Sequence, residues 1–456
     1  MRVIPSALVI AVALALYFAP APAGALPGVM HAAALIAFAV GMWAFGALPE
    51  HIVGLLFLLG AVLTAAAPVP VIFSGFASST LWLVFGGLII AEGVRATGLG
   101  ERIARLTLER FSHDYARALT ATVAVAMGLN FVMPATVARV LLLIPILTAV
   151  ARRMGFQHGS RGYHGILLAA MLATYQCGTA VLPANAPNMV LAGAAETLYG
   201  VTLTYGEYLW VQFPVMGLVK GALIVLLALW VFPATPAPRS EAEPLAAPGA
   251  AEWRMLAILG VSLVLWATDF LHRVQPGWIA LGAGLACVLP GIGVMPVAAF
   301  NDRIRFGPYF YIGAILGMGA LMQESGLSRA IGDALLAALA LRPGEDARNF
   351  LLLALTSTLT GLATTNPAQP ALLAPIADHI AQAAGWPIKT VLMVLAVGFT
   401  TVILPYQVPP VMVGLQVAGI ELREILRFTL LLALASVLLL VPLDCAWWFV
   451  IGYFGK

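Results

Sequence analysis

Charge is what this 456-residue chain has least of: Asp, Glu, Lys and Arg together make 9% of it, against 62% hydrophobic residues. So few charges cannot solvate the surface of a soluble domain, and a mean hydropathy of +0.99 marks a polytopic membrane protein, with lipid as its surroundings. The net charge of +3 says little about partners, because placement matters more than the sum. No basic patch interleaved with aromatics is present, which argues against nucleic acid. Cysteine is scarce too. Cys177, Cys287 and Cys445 all fall in apolar segments, are odd in number and have no ligand-like spacing, so neither a disulfide framework nor a zinc site is supported. His-Glu-x-x-His and Gly-x-Gly-Asp are both missing, and the histidines (His31, His51, His113, His158, His164, His272, His379) lie mostly at segment ends. An intramembrane hydrolase therefore lacks its metal set or its nucleophile and base, and the chain reads as a non-enzyme with no cofactor.

What is present is apolar sequence in span-sized pieces. Runs of roughly twenty residues, enough to cross a bilayer, occur near 3–20, 29–47, 51–67, 79–96, 164–196, 207–232, 253–270, 276–294, 308–324, 387–418 and 425–453. The first, an arginine, a short apolar run and then small residues, resembles a signal peptide. With so many later spans, retention as an extra N-terminal helix (1–28) is the expectation. Residues 233–252 (PATPAPRSEAEPLAAPGAAE) are polar and rich in Pro and Ala, which suits a mobile linker between a first half, 29–232, and a second, 253–456.

Two further blocks, 118–151 and 347–383, are long enough to span but interrupted. The first contains Asn130, Pro134 and Arg139, and irregular backbone at membrane depth survives only inside protein or beside water. These blocks are also copies of one another. Pro134 to Gly155 (PATVARVLLLIPILTAVARRMG) and Thr364 to Gly385 (TTNPAQPALLAPIADHIAQAAG) align without a gap at an offset of 230, with seven identities in 22 positions, among them Pro145/Pro375 and Gly155/Gly385. Thr179 to Pro187 (TAVLPANAP) and Thr401 to Pro409 (TVILPYQVP) then align at an offset of 222, with Asn185 facing Gln407. Two ordered pairs at similar spacing indicate a duplicated half.

Arginine flanks the first interrupted block on both sides: Arg95, Arg102, Arg105, Arg110 and Arg117 before it, Arg152, Arg153 and Arg161 after it. The positive-inside bias places both flanks in the cytoplasm, so the block enters and leaves on one side as a re-entrant hairpin. If 347–383 behaves alike, each half crosses five times and the halves are inverted. That fold is all-α, with about eleven transmembrane helices and two re-entrant hairpins. Its predicted cytoplasmic side, which includes the linker and the N-terminus, holds 15 of the 23 Lys and Arg; its outside, with the C-terminus, holds 6. Arg139 and Lys220 remain within apolar runs.

Inverted repeats with broken helices are a recurring design of secondary transporters, with the site where the repeats meet. A helix interrupted in the membrane exposes N–H groups at one end, suited to anions, and C=O groups at the other, suited to cations. Four interruptions converge in this scheme: tips at Ala135–Arg139 and Thr365–Gln369, and breaks at Gly178–Asn188 and Leu404–Pro410. This layout resembles the divalent anion:sodium symporter family, the dicarboxylate, citrate and sulfate carriers, which have a Ser-Asn-Thr tip in each hairpin at a fixed distance from a proline. The ten-residue spacing to Pro145 puts Ala135, Thr136 and Val137 at the first tip; that to Pro375 puts Thr365, Asn366 and Pro367 at the second. PATVAR resembles the Pro-Ser-Asn-Thr-Ala-Arg tract of some carboxylate exchangers, which places Arg139 on the family's arginine. Phe73 to Ala104 resembles the segment before the first hairpin, and Asn185 to Asn188 (NAPN) a degenerate Thr-Pro-Pro-Asn.

The resemblance implies an elevator-type carrier of a small anion, commonly a homodimer, in a bacterial inner membrane. Its solute site carries over to Ala135, Thr136, Val137, Arg139, Thr365, Asn366, Pro367, Asn185, Pro187, Asn188, Gln407 and Pro409. Its cation site, with Na+ as the candidate coupling ion, carries over to Thr136, Gly178, Thr179, Thr365, Asn366 and Thr401. Departures at both tips (Ala135, Val137 and Pro367 replace side chains that help hold carboxylate and sodium) leave solute and coupling ion open. A cation/proton antiporter or arsenite-type carrier is the alternative, and would need a midmembrane carboxylate.

Blander roles stand beside each of these. Arg139 suits bidentate capture of a carboxylate, or contact with backbone carbonyls at its tip. Thr136, Thr365 and Asn366 could cap half-helix ends; Asn185, Asn188 and Gln407 could satisfy backbone opened by prolines; Thr179 and Thr401 could pack helices. Lys220 is expected to snorkel partly or to face a cavity. Asp444, beside tryptophans, is expected at the outer interface, with proton carriage as its alternative, and Glu92 and Glu324 near helix ends are expected to be interfacial.

Overall fold

The computed structural model describes residues 3–21, 26, 28–46, 48–110, 114–237 and 247–455. Arg2, Arg239, Lys456 and residues 238–246 of the expected linker, which the charge and linker readings used, lie outside the described residues. Among the described residues the chain is all-helical. The first half supplies α1 (Val3–Phe18), α2 (Val29–Phe45), α3 (Glu50–Leu63), α4 (Ser79–Thr97), α5 (Leu99–Arg110), α6 (Tyr115–Val132), α7 (Thr136–Arg153), α8 (Arg161–Leu172), α9 (Ala186–Tyr199) and α10 (Tyr205–Val231). The second supplies α11 (Ala250–Ala267), α12 (Pro276–Val288), α13 (Gly307–Glu324), α14 (Leu327–Leu339), α15 (Asp346–Thr360), α16 (Ala368–Ala384), α17 (Ile388–Phe399), α18 (Pro409–Ala418) and α19 (Leu422–Val450).

The bundle is apolar outside and polar within. Leu63, Leu226, Trp230, Val261, Val264, Leu438 and Leu439 are exposed, whereas Arg139, Lys220 and Asp444 are completely buried. Water would reverse that order; lipid permits it. Five helices (α4, α6, α10, α11, α19) are long and apolar enough to cross a membrane singly. A sixth crossing results if α16 and α17, bent by 117° where they join, count as one.

Between helices in lipid, close packing replaces the hydrophobic effect, and small residues permit it. α4 and α12 run side by side in the same direction, Gly277 against the Ser79 backbone and Gly284 against Gly86. A side chain at 277 would meet the Ser79 carbonyl. α3 and α13 pair likewise through Gly54 against Ala314.

Both interrupted blocks are helix–break–helix units whose bases are tied. In the first, α6 and α7 diverge from Met133–Ala135. Tyr115, at the start of α6, meets Phe156, just past α7, ring against ring at 5.5 Å, while Pro134 at the apex lies against Gly87, midway along α4. In the second, α15 and α16 flank 361–367, and the Trp386 indole donates to Asp346 at 2.8 Å across the base. Further contacts lie near each base in sequence. With the first base go Ala237, whose N–H donates to the Met154 carbonyl, His164 near Glu424, and Arg102 paired with Glu252. With the second go Lys389 paired with Glu207 at 2.8 Å and the Tyr453 hydroxyl on Glu207 at 2.9 Å. Of the two glutamates expected at interfaces, Glu92 is instead buried, bonded by Arg95 at 2.6 Å.

The long last helix of each half contains a π turn, Phe213–Val219 in α10 and Ser436–Leu440 in α19. Pro214 and Pro442 supply the cause, since a residue without an N–H displaces the hydrogen-bond ladder.

Candidate functional site

Helix starts fall into two kinds. α4, α6, α8 and α10 begin with side-chain caps from Ser78, Asp114, Ser160 and Thr204. The starts of α7, α9, α16 and α18, at the two tips and two breaks, have none, as is true of α2, α3, α11 to α15, α17 and α19. The first N–H groups of α16 are bonded to the Thr365 and Asn366 carbonyls and α18 opens on Pro409 and Pro410, so it is α7 and α9 whose first turns have N–H groups, and the partial positive charge they carry, to offer a ligand. None of Thr136, Thr365 and Asn366 caps the start of its own helix, but Asn366 bonds the last carbonyl of α17, at Phe399, in the capping role expected of it.

At the first tip, Arg139 extends from the opening turn of α7 back across the break. Its guanidinium donates to the carbonyls of Met133, Thr174 (3.3 Å) and Ala184 (3.0 Å), to the Asn185 side-chain oxygen (3.0 Å) and to the Thr136 hydroxyl (3.2 Å). Thr136 in turn donates to Asn185 Oδ1 at 2.5 Å. Asn185 Nδ2 donates to the Tyr175 carbonyl at 2.8 Å, Asn188 Nδ2 to Val181 O at 2.8 Å, and the Thr179 hydroxyl to Gln176 O at 2.6 Å. Tip and break are thereby one hydrogen-bonded body, with the arginine's charge facing backbone oxygens.

The second tip is built with amides. Gln369, the residue at Arg139's place 230 positions on, donates to the Ser357 carbonyl. Asn366 Nδ2 donates to Phe399 O at 3.0 Å and its N–H to Gln407 O at 2.9 Å, while Gln407 Oε1 accepts from the N–H groups of Ile403 and Leu404 at 2.8 Å. The Thr365 and Thr401 hydroxyls, Asn366 Oδ1, Gln369 Oε1 and Gln407 Nε2 are buried without a hydrogen-bond partner.

The halves interlock. α7 of the first hairpin packs along α18, Val140 against Gly414, and α16 of the second packs along α9, where the Tyr199 hydroxyl donates to Ala374 O at 2.7 Å. Tyr175, in a π turn just ahead of the first break, lies beside Asn366 of the second tip, and Tyr311 of α13 lies beside Thr365. Of the expected residues, Thr136, Arg139, Gly178, Thr179, Asn185, Pro187, Asn188, Thr365, Asn366, Pro367, Thr401 and Gln407 are buried at these four interruptions; Ala135 and Pro409 are half-buried; Val137 is 43% exposed and faces away. A small cleft lined by Ser79, Thr80, Glu196, Pro276 and Gly277 lies to one side. Its carboxylate already accepts four hydrogen bonds from Ser79 and Thr80, so it offers a solute little.

A profile described as the sodium:sulfate symporter transmembrane region matches residues 2–454. The chain belongs to that family. A membrane protein of Cupriavidus necator is 26% identical over 83% of this chain and 76% of its own length. An L-tartrate/succinate antiporter of Escherichia coli K12 is 23% identical over 58% of this chain and 56% of its own. Among solved structures, the YdaH transporter of Alcanivorax borkumensis is similar with a TM-score of 0.57 at 18% identity, over 88% of this chain and 90% of that one, a likeness of fold. As a member of a family of transporters, this chain is an integral membrane carrier and not an enzyme.

In this symporter-family chain the structure adds residues to the expected set. Asn130, buried on α6 with neither amide atom bonded, points at Gly178, where a methyl group would meet its oxygen at 3.0 Å. Gln176 is equally unbonded. Both are lone amides in apolar runs, the one signal that could have marked them. Lys220 does not snorkel: fully buried, it donates to the Thr400 carbonyl at 2.6 Å. Asp444 is not interfacial, because Trp448 beside it is buried against Phe350 of α15, ring centroids 5.1 Å apart, which draws that turn inward.

Proposed function

We propose that this chain is a secondary active carrier of a small anion, a di- or tricarboxylate or sulfate, held where the four interruptions meet. The carrying observation is the set of buried, unbonded hydroxyls and amides at the four interruptions, beside the helix starts of α7 and α9 and the buried Arg139. Each of those two starts presents about half a positive charge, which with the guanidinium favours an anion. The solute contacts in this reading are Thr136, Asn185, Asn188, Thr365, Asn366 and Gln407, with the backbone at Ala135, Pro187, Pro367 and Pro409; Arg139 holds the first tip and adds charge behind it. Gly178, Thr179 and Thr401 belong to the carbonyl ends, where a cation such as Na+ would bind. The name of the E. coli relative, L-tartrate/succinate antiporter, supports a dicarboxylate.

The same proposal includes about eleven crossings in two inverted halves, hairpins entering from opposite faces of a bacterial inner membrane, a cytoplasmic N-terminus and an external C-terminus. The tied bases, the apex at Gly87 and the arginines that flank the first block in sequence support it. Homodimeric elevator motion follows the family resemblance.

Proteoliposome flux of labelled succinate, citrate, sulfate and taurine, with and without a sodium gradient, tests this. Saturable uptake of one dianion, cross-inhibited by its analogues and lost in Thr136→Ala with Asn366→Ala, is expected. Non-saturating flux of all four solutes would mean a pore.

A further inference from the structure

The carbonyl end of the second break already holds a cation, and it belongs to the protein. Lys220 leaves α10 directly after its π turn, and its ammonium donates to both the carbonyl (2.6 Å) and the hydroxyl (3.2 Å) of Thr400, the residue between α17 and Thr401. Asp444 follows the π turn of α19, a comparable place in the other half. It is completely buried, and neither carboxylate oxygen has a hydrogen-bond partner among the described residues. Lys220 and Asp444 are near enough for each charge to act on the other, though no ion-pair contact joins them. The other titratable group facing Lys220 is Cys177, from the π turn after α8; α6 contributes Val123 and Met127 beside Gly221, and the end of α17 only Thr400.

An ionisable residue inside a membrane bundle is costly and marks an ion or proton path. Here two of opposite sign occupy the last helix of each half, and one grips the break that the solute site uses. We propose that Lys220 and Asp444 are this carrier's proton-coupling site, with the Lys220 ammonium in place of the sodium ion that the second break's carbonyls would otherwise take. This rests on the carrier reading above and goes beyond it by naming the coupling ion. In the coupling step the ammonium passes a proton to Asp444 through water that enters between them: an N–H bond of Lys220 breaks, an O–H bond forms on Asp444, and a neutral amine and a neutral acid remain. The acid releases that proton to water on the open side, and reloading reverses the order. Once neutral, Lys220 no longer holds Thr400 as a cation, so the break loosens when the proton leaves.

The test uses the full chain in proteoliposomes with labelled succinate, sodium replaced by choline, and an inward proton gradient. Wild type is expected to show at least fivefold stimulation of uptake by the proton gradient and none by a sodium gradient. Lys220→Gln and Asp444→Asn should each lose the stimulation while succinate–succinate exchange stays measurable; a monodisperse profile of either variant certifies its fold. Sodium stimulation in wild type without proton stimulation overturns the proposal, as does proton stimulation that survives in both variants. Wild type showing neither uptake nor exchange of succinate or sulfate brings down the carrier reading itself.

Discussion

The two interrupted blocks align with each other at an offset of 230, yet they are held in different ways. The first places a guanidinium at position 139, which binds five oxygens drawn from the tip, from the π turn after α8 and from the first break. The second places Gln369 at the matching position, which makes one bond, to Ser357 O, within its own hairpin. The first tip is therefore fastened to its break, whereas the second is fastened mainly through Asn366 and leaves more polar atoms free. The guanidinium of the first block is matched by a neutral amide in the second, and both halves leave buried polar atoms unbonded, Asn130, Gln176 and Asn188 in the first and Thr365, Gln369 and Gln407 in the second. The second break also accepts a hydrogen bond from the first half, through Lys220.

Side of labelling is the most drastic test, because its outcome is all or none. In a cysteine-free background, exposed positions Arg117 and Arg152 changed singly to Cys should both react with an impermeant maleimide from one face, and Arg348 and Gln382 from the opposite face. Positions 117 and 152 on different faces would abolish the hairpin and the site with it. Next in size is Arg139→Ala. It leaves five acceptors buried without their donor, so a loss beyond about 4 kcal/mol is expected, seen as lost monodispersity in detergent or a collapse of the melting temperature; a folded Arg139→Ala with normal uptake refutes its role at the tip. Gly277→Ala touches neither hairpin but the α4–α12 seam, and the added methyl should cost about 1–3 kcal/mol in thermal stability with solute affinity preserved. Smallest is Gln369→Ala, which removes one neutral bond worth about 1 kcal/mol. Its melting temperature should fall far less than that of Arg139→Ala, and equal losses would erase the contrast between the halves.

Much of the framework was legible before the structure. Prolines and glycines at a fixed offset located both tips and both breaks, because a chain in lipid must interrupt its helices at such residues and can tolerate that only where protein surrounds it. Arg139 stood out for the same reason. Apart from Thr136, three residues away, its partners did not: they lie 6, 35, 45 and 46 residues away, and a donor list contains no record of which oxygens fold opposite it. Asp444 was misplaced because tryptophans near a helix end suggest the membrane interface; packing of Trp448 on Phe350 overrode that signal. Lys220 and Thr400, 180 residues apart, gave no joint signal at all.

What the amino-acid order determined alone was the medium and the points at which helices stop, since those follow from hydropathy and the missing N–H of proline. What only tertiary structure decided was the assignment of partners: which buried charge meets which carbonyl, and hence how each tip is held. Hydrogen bonds and charges act over a few ångströms in space, and the residues that share such a distance here are separated by as many as 260 positions in the chain.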